Sequence, residues 1–259
     1  MTNPHGGYGW RRSLPDHRDA PFTAALMARL PTTLPAHRDD RGIRYMPPVY
    51  NQGQTSSCTG NGTAGALQYM RRKQGLADFV PSRMFIYYNG RAIDGTTSFD
   101  GGSQVRNVIK AVATQGACDE TEWPFRTDQI NMRPADKCYF DAKTDLVTGY
   151  AAVPQDIDAI RACIASDTPV VFGFTVYPQL ESDAMAQSGM MEMPGDSDAP
   201  LGGHCVLACG YSDKSRVMIC RNSWGPDWGE GGFFYMPYDY ITNPGLAADL
   251  WQIDVVTGR

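Results

Sequence analysis

The stretch Asn222-Ser223-Trp224-Gly225-Pro226-Asp227-Trp228-Gly229-Glu230-Gly231-Gly232 constrains this chain more than any other, because it answers a second, distant motif. That motif is Gln52-Gly53-Gln54-Thr55-Ser56-Ser57-Cys58, and His204 lies between the two. A thiol, an imidazole and an amide in the order Cys, His, Asn are the parts of a thiol acyl-transfer site. Each piece alone is a weak signal, and the three together require a fold that returns positions 204 and 222 to position 58.

The 259 residues suffice for one large domain or two small lobes. Hydrophobic content of 42% and charged content of 20% are those of an ordinary globular protein. With 23 basic against 28 acidic side chains the net charge is -5, which speaks against a nucleic-acid surface. The basic run Arg71-Arg72-Lys73 is read as the last turn of a helix, where cations complement the dipole. No run reaches the roughly 20 apolar residues of a bilayer span, so no membrane partner is expected. The opening residues carry neither a basic n-region nor an apolar h-region, and a cytoplasmic location is the expectation. Of seven cysteines at least one must be unpaired, and a reducing compartment predicts mostly free thiols. Cys118 and Cys138 flank a loop-like stretch and are the best candidates should any pair bridge.

Three segments differ in character. Residues 1–34 are rich in Gly, Pro, Arg and Asp, with one short helical stretch over Thr23–Leu30. They are too poor in apolar residues to fold alone, and are read as an arm laid over the main body. The alternative is a disordered tail, against which Tyr8, Trp10 and Phe22 argue. Residues 35–135 read as helical. One helix is expected from about Cys58 to Gln74, with Ser56-Ser57 as N-cap and Gly75 as its stop. Its first half is dominated by small residues, which predicts close packing at the centre of the fold. Two further helices are expected over Pro81–Asn89 and Gly102–Gln115. Residues 136–259 read as β-rich, with strands over 170–176, 205–211, 217–221 and 232–236 and one helix over about Gln155 to Ser166. The fold class is α+β.

Cys58 falls at the first turn of its helix, where free backbone N–H groups and the positive dipole end favour an anion. Such a placement beside an imidazolium draws a thiol, ordinarily near roughly 8.5, toward thiolate. Three of the four histidines (5, 17 and 37) precede the core, leaving His204 as the general base. Asn222 can fix its tautomer without adding charge. The backbone N–H of Cys58 and the amide of Gln52 are candidate oxyanion donors. A metal site from His204, Cys205, Cys209 and Cys220 is disfavoured, because neighbours on a strand point to opposite faces. No metal or organic cofactor is expected.

On these residues the chain resembles the papain-like cysteine peptidases, and most closely their compact bacterial branch. The resemblance covers most of residues 35–259. His204 follows Cys58 by 146 residues, within the expected roughly 130–150, and Asn222 follows by 164, a little beyond. It implies a two-lobe fold, one lobe helical and the other an antiparallel β-barrel-like lobe, with the cleft between them. It further implies Cys58 as nucleophile, His204 as base and then acid, Asn222 as orienter and Gln52 as oxyanion donor. Trp224 would shield the His204–Asn222 hydrogen bond. Gly101-Gly102 match a glycine pair whose backbone hydrogen-bonds extended substrate, the missing Cβ atoms allowing close approach.

There are departures from the family pattern. The usual cysteine and tryptophan around the nucleophile are replaced in Thr55-Ser56-Ser57-Cys58-Thr59, and Gly203 before the histidine supplies no carboxylate. For the S2 floor, Gly202, Cys205 and Ala248-Asp249 are candidates. Asp249 there would admit basic P2 side chains, and small apolar ones are expected otherwise. The family is commonly made as zymogens whose N-terminal segment runs through the cleft in a non-productive direction. Residues 1–34 are therefore expected to cover the cleft in part, as an intramolecular partner, and to restrain hydrolysis of a peptide or protein substrate. Two other readings stay open at this point: a peptide-binding protein on an inactive peptidase fold, and a transpeptidase using the same acyl-enzyme.

Overall fold

The structure, a computed structural model, describes residues 7–258 except 18, 23–26, 29, 30 and 32. The expected helix over 23–30 thus lies largely outside the described residues. The first half carries strand β1 (His37–Asp39) and helices α1 (Cys58–Lys73), α2 (Arg83–Asp94) and α3 (Val105–Thr114). The second half carries α4 (Asp136–Ala142), β2 (Val147–Ala152), α5 (Ile157–Ala165), β3 (Val170–Val176) and α6 (Asp183–Ser188). It ends with β4 (Gly202–Ser212), β5 (Val217–Arg221), β6 (Phe233–Pro237), α7 (Tyr238–Ile241) and β7 (Ala247–Val256). Among the described residues no helix is long and apolar enough to cross a membrane.

α1 is buried along its length from Cys58 to Arg71. Its small residues explain how: a Cβ on Gly60 would lie 2.8 Å from Tyr87 of α2, and one on Gly65 would lie 2.7 Å from the Arg221 guanidinium of β5. Gln74 caps the helix and Gly75, at φ 71°, turns the chain away. The basic run forms the last turn, as expected: Arg71 is buried and pairs with Asp145, and Lys73 Nζ donates to the carbonyl of Ser166 at 2.6 Å. At the other end the structure departs from expectation. Ser57 makes no side-chain cap; its hydroxyl meets Thr55 Oγ1 at 2.7 Å and accepts from Asn61 Nδ2 at 3.0 Å instead. α2 begins at Arg83 rather than Pro81, because the Ser82 hydroxyl caps it by accepting from the Phe85 N–H.

Seven strands form one antiparallel sheet in the order β2-β7-β3-β4-β5-β6, with β1 added against β4. Alternation along the strands divides two cores. Val171, Cys205, Leu207 and Cys209 face α1 and α3, while Phe172, Phe174, Val206 and Ala208 face α5, α7 and β6. The expected barrel-like lobe is an open sheet. Each end strand is met by an irregular segment rather than by the opposite end. Gly189 and Met191 hydrogen-bond Tyr235 on β6, and Ala20 accepts from Ala152 on β2. Both edges are thereby covered, as exposed edges generally are.

All seven cysteines are free thiols, and those of Cys118 and Cys138 are hydrogen-bonded to each other.

Candidate active site

Cys58, the first residue of α1, is fully buried, and its sulfur accepts backbone N–H groups from Cys205, Gly9 and Thr59. Cys205 follows His204 on β4, so this bond ties the helix start to the strand that bears the imidazole. The Cys205 side chain points the other way, 3.3 Å from where a Cβ on Gly62 would be. His204 Nε2 lies 2.8 Å from Asn222 Oδ1. That oxygen also accepts the Ser223 N–H at 2.8 Å, which identifies it as the amide oxygen. Nε2 must therefore be the donor, and the neutral imidazole keeps its lone pair on Nδ1, which makes no hydrogen bond. Trp224 lies over the ring at 4.8 Å with planes 31° apart, and Phe174 meets it edge-on at 5.7 Å. Both exclude water from the His204–Asn222 bond.

Gln52 is buried beside the helix start. Ser223 Oγ donates to Gln52 Oε1 at 2.6 Å and the Gln52 N–H donates to the Ser223 carbonyl at 2.8 Å. These bonds turn Gln52 Nε2 toward the cleft, where it donates to the Gly7 carbonyl at 2.9 Å as well as to Thr55 O at 2.7 Å. The orienting part played by Ser223 was not expected. Its one sequence signal is its place between Asn222 and Trp224.

Residues 7–13 lie along this cleft. The Tyr8 hydroxyl donates to Glu181 at 2.5 Å, and its ring is 6.2 Å from His204 and 6.3 Å from Trp224. Trp10 pairs with Ser103 in parallel register: Ser103 N donates to Gly9 O at 2.8 Å, and Arg11 N to Ser103 O at 3.1 Å. Trp10 N donates to Gly203 O at 2.9 Å. The indole fills a recess beside Gly173, and its Nε1 donates to Asp249 at 2.9 Å, as does Ser13 N. Asp249 is aimed there by a positive φ of 57°, which shifts the register of β7 against β3. Of the S2 candidates named from sequence, it is Asp249 that holds the indole of Trp10.

Backbone pairing falls on Ser103, one residue beyond Gly101-Gly102, because the Gly102 N–H is already given to the Tyr87 hydroxyl at 2.9 Å. Gly102 still matters for approach. At φ 76° a Cβ there would stand 2.1 Å from Gly9 O.

Burial pushes the Cys58 thiol up to about 12, against its three backbone donors. Burial pushes the His204 imidazole down to about 4, against the Asn222 bond. With residues 7–13 in place both groups are neutral at neutral pH.

The family described as papain family cysteine protease matches residues 34–250. The chain belongs to that family. It is a papain-family cysteine peptidase, a hydrolase. The peptidase is 33% identical, over 96% of its own length and 87% of the other, to the uncharacterized peptidase C1-like protein L477 of Acanthamoeba polyphaga mimivirus. It is 26% identical to chymopapain of Carica papaya, over 78% of its length and 54% of that protein. The solved structure of xylellain, a cysteine protease from Xylella fastidiosa, matches it with a TM-score of 0.86 at 37% identity, covering 100% of this peptidase and 98% of that one.

Proposed function

We propose that the peptidase cleaves internal peptide bonds through a thioester on Cys58, and that residues 1–34 restrain it. His204 Nδ1 takes the thiol proton as the sulfur attacks the scissile carbonyl carbon, and then delivers it to the leaving amine. The oxyanion is held by the Cys58 N–H and Gln52 Nε2. Water then attacks the thioester, with His204 again as base. The observation that carries this reading is the doubly held Asn222 oxygen, which leaves Nδ1 as the imidazole's basic nitrogen. A binding protein has no need of that tautomer.

Restraint is supported by a mismatch of peptide groups. A productive amide presents its carbonyl carbon to the sulfur and the oxygen of that same carbonyl to the donors. Here Gln52 holds Gly7 O while the sulfur accepts the Gly9 N–H, which belong to two different, adjacent peptide groups. The parallel pairing with Ser103 keeps the segment in that register.

The test is an epoxide-type thiol-peptidase inactivator applied to the reduced protein, with the labelled residue mapped by mass spectrometry beside a Cys58→Ala control. Selective labelling of Cys58, faster after removal of residues 1–34, is the expected result. Equal rates with and without those residues would sink the restraint, and no labelling in either form would sink the nucleophile. A transpeptidase would be exposed by an added amine appearing in the product.

A further inference from the structure

We propose that Cys118, Cys138 and Glu122 form a binding site for one zinc-class divalent cation, on the helical side of the molecule and outside the peptidase chemistry. Among the described residues, these three are brought together so that the two sulfurs and a carboxylate oxygen all lie within 4.8 Å of one another. Cys118 and Cys138 are buried and hydrogen-bonded to each other. Glu122 gives one oxygen, Oε1, to Lys137 Nζ at 3.0 Å; the other, Oε2, is buried and makes no hydrogen bond. A disulfide alone would leave that oxygen without a use, whereas a cation shared with the sulfurs would satisfy it.

The donor set selects the ion. Two thiolates and one carboxylate suit a borderline-soft, four-coordinate cation, and disfavour calcium or magnesium, which take oxygen ligands. Three protein ligands leave a fourth position. A cavity of about 260 Å³ lined by Arg71, Cys118, Asp119, Glu122, Asp141 and Asp145 reaches the site and gives an entry path rich in carboxylates. Binding exchanges the two thiol protons for the cation, so the complex of two thiolates, one carboxylate and one dication carries a single negative charge. The Lys137 ammonium beside Glu122 offsets it. Because each thiol must give up its proton to bind the cation, affinity rises with pH.

The backbone shows what the ion would join. The Cys118 carbonyl accepts the N–H of Ser82, the cap of α2, at 2.8 Å, and Cys138 sits on α4. A bound cation therefore clips α4 to the start of α2 across the intervening loop.

The experiment uses the full-length reduced chain carrying Cys58→Ser, which removes the thiol of the peptidase cleft, after dialysis against a chelator. Zinc is then titrated, and cobalt is substituted for it to read thiolate ligation by its charge-transfer absorption. The expected result is one zinc per chain, a cobalt spectrum of two thiolates and a rise in Tm of roughly 5 °C at hundredfold excess over Kd. Glu122→Gln should weaken binding by about tenfold or more while keeping the fold, and Cys118→Ser should abolish the cobalt band. Zinc that still binds to Cys118→Ser, or no stoichiometric binding by reduced protein, overturns the proposal. So does a chain that purifies two hydrogens lighter with both thiols blocked, which would assign the pair to a disulfide.

Discussion

Replacing Trp10 by alanine removes the largest side chain that residues 7–13 place in the cleft. The indole is buried in the recess beside Gly173 and donates to Asp249 at 2.9 Å. Truncating a buried tryptophan costs about 3–5 kcal/mol where a cavity remains. This recess opens to water once the segment lifts, so the lower end, about 3 kcal/mol, is the appropriate figure. Because every 1.4 kcal/mol is tenfold, the open form should gain about 100-fold in population. While that form is scarce, the apparent rate of any reagent or substrate scales with its fraction. The assay is the second-order rate of Cys58 labelling by the epoxide inactivator, alongside kcat/KM on a peptide and Tm. Both rates are expected to rise about 100-fold, or to the plateau set by the protein lacking residues 1–34, with little change in the Tm of the main body. Rates within twofold of the parent, at unchanged Tm, would refute the reasoning, since they would mean that the seated segment does not limit access.

Gln52→Ala, made in the protein lacking residues 1–34, should lower kcat by about 10²–10³ with little change in KM, as removal of one oxyanion donor does; equal losses in kcat and in substrate affinity would contradict the role. pH should also open the cleft. The His204 pKa, about 4 when covered, moves back toward roughly 6.5 when the ring is released to water. The covered form is thus favoured above about 6.5 and loses that advantage as pH falls toward 4. Hydrogen exchange of residues 7–13, corrected for intrinsic rates, should accelerate over that interval, and a flat profile would count against the linkage. The thiol works in the opposite sense, since its pKa is about 12 when covered and near 8.5 when free. The covered form is favoured below about 8.5 and weakens as pH rises toward 12. Finally, with residues 1–34 removed, Asp249→Ala should erase a preference for lysine or arginine over small apolar side chains at P2; an unaltered P2 profile would remove Asp249 from the recess floor.

Much of this site is legible in one dimension because its chemistry belongs to side chains. A thiol, an imidazole and two amides are each spelled by a residue type, and their order confines the folds that can gather them. Helices α1, α2, α3 and α5 were equally readable, since apolar spacing and Gly or Ser punctuation mark them locally. The strands β2 and β7 were not. β2 shifts register around Gly149, and β7 carries Asp249 at positive φ, so neither shows a clean alternation.

Tertiary structure decided what backbone groups do. Ser103, not Gly101-Gly102, pairs with residues 9 and 11, and the occupants of the oxyanion donor and the sulfur are the Gly7 carbonyl and the Gly9 N–H. Every residue but proline carries the same carbonyl and N–H, so no letter of the sequence marks which of them will meet. The meeting of Cys118, Glu122 and Cys138 is of the same kind. Residue identity determined that thiols and a carboxylate were present, but their convergence depends on how α4 packs beside the start of α2. By itself the sequence determined which chemistry the chain can perform, and only the fold decided where each group stands and what covers it.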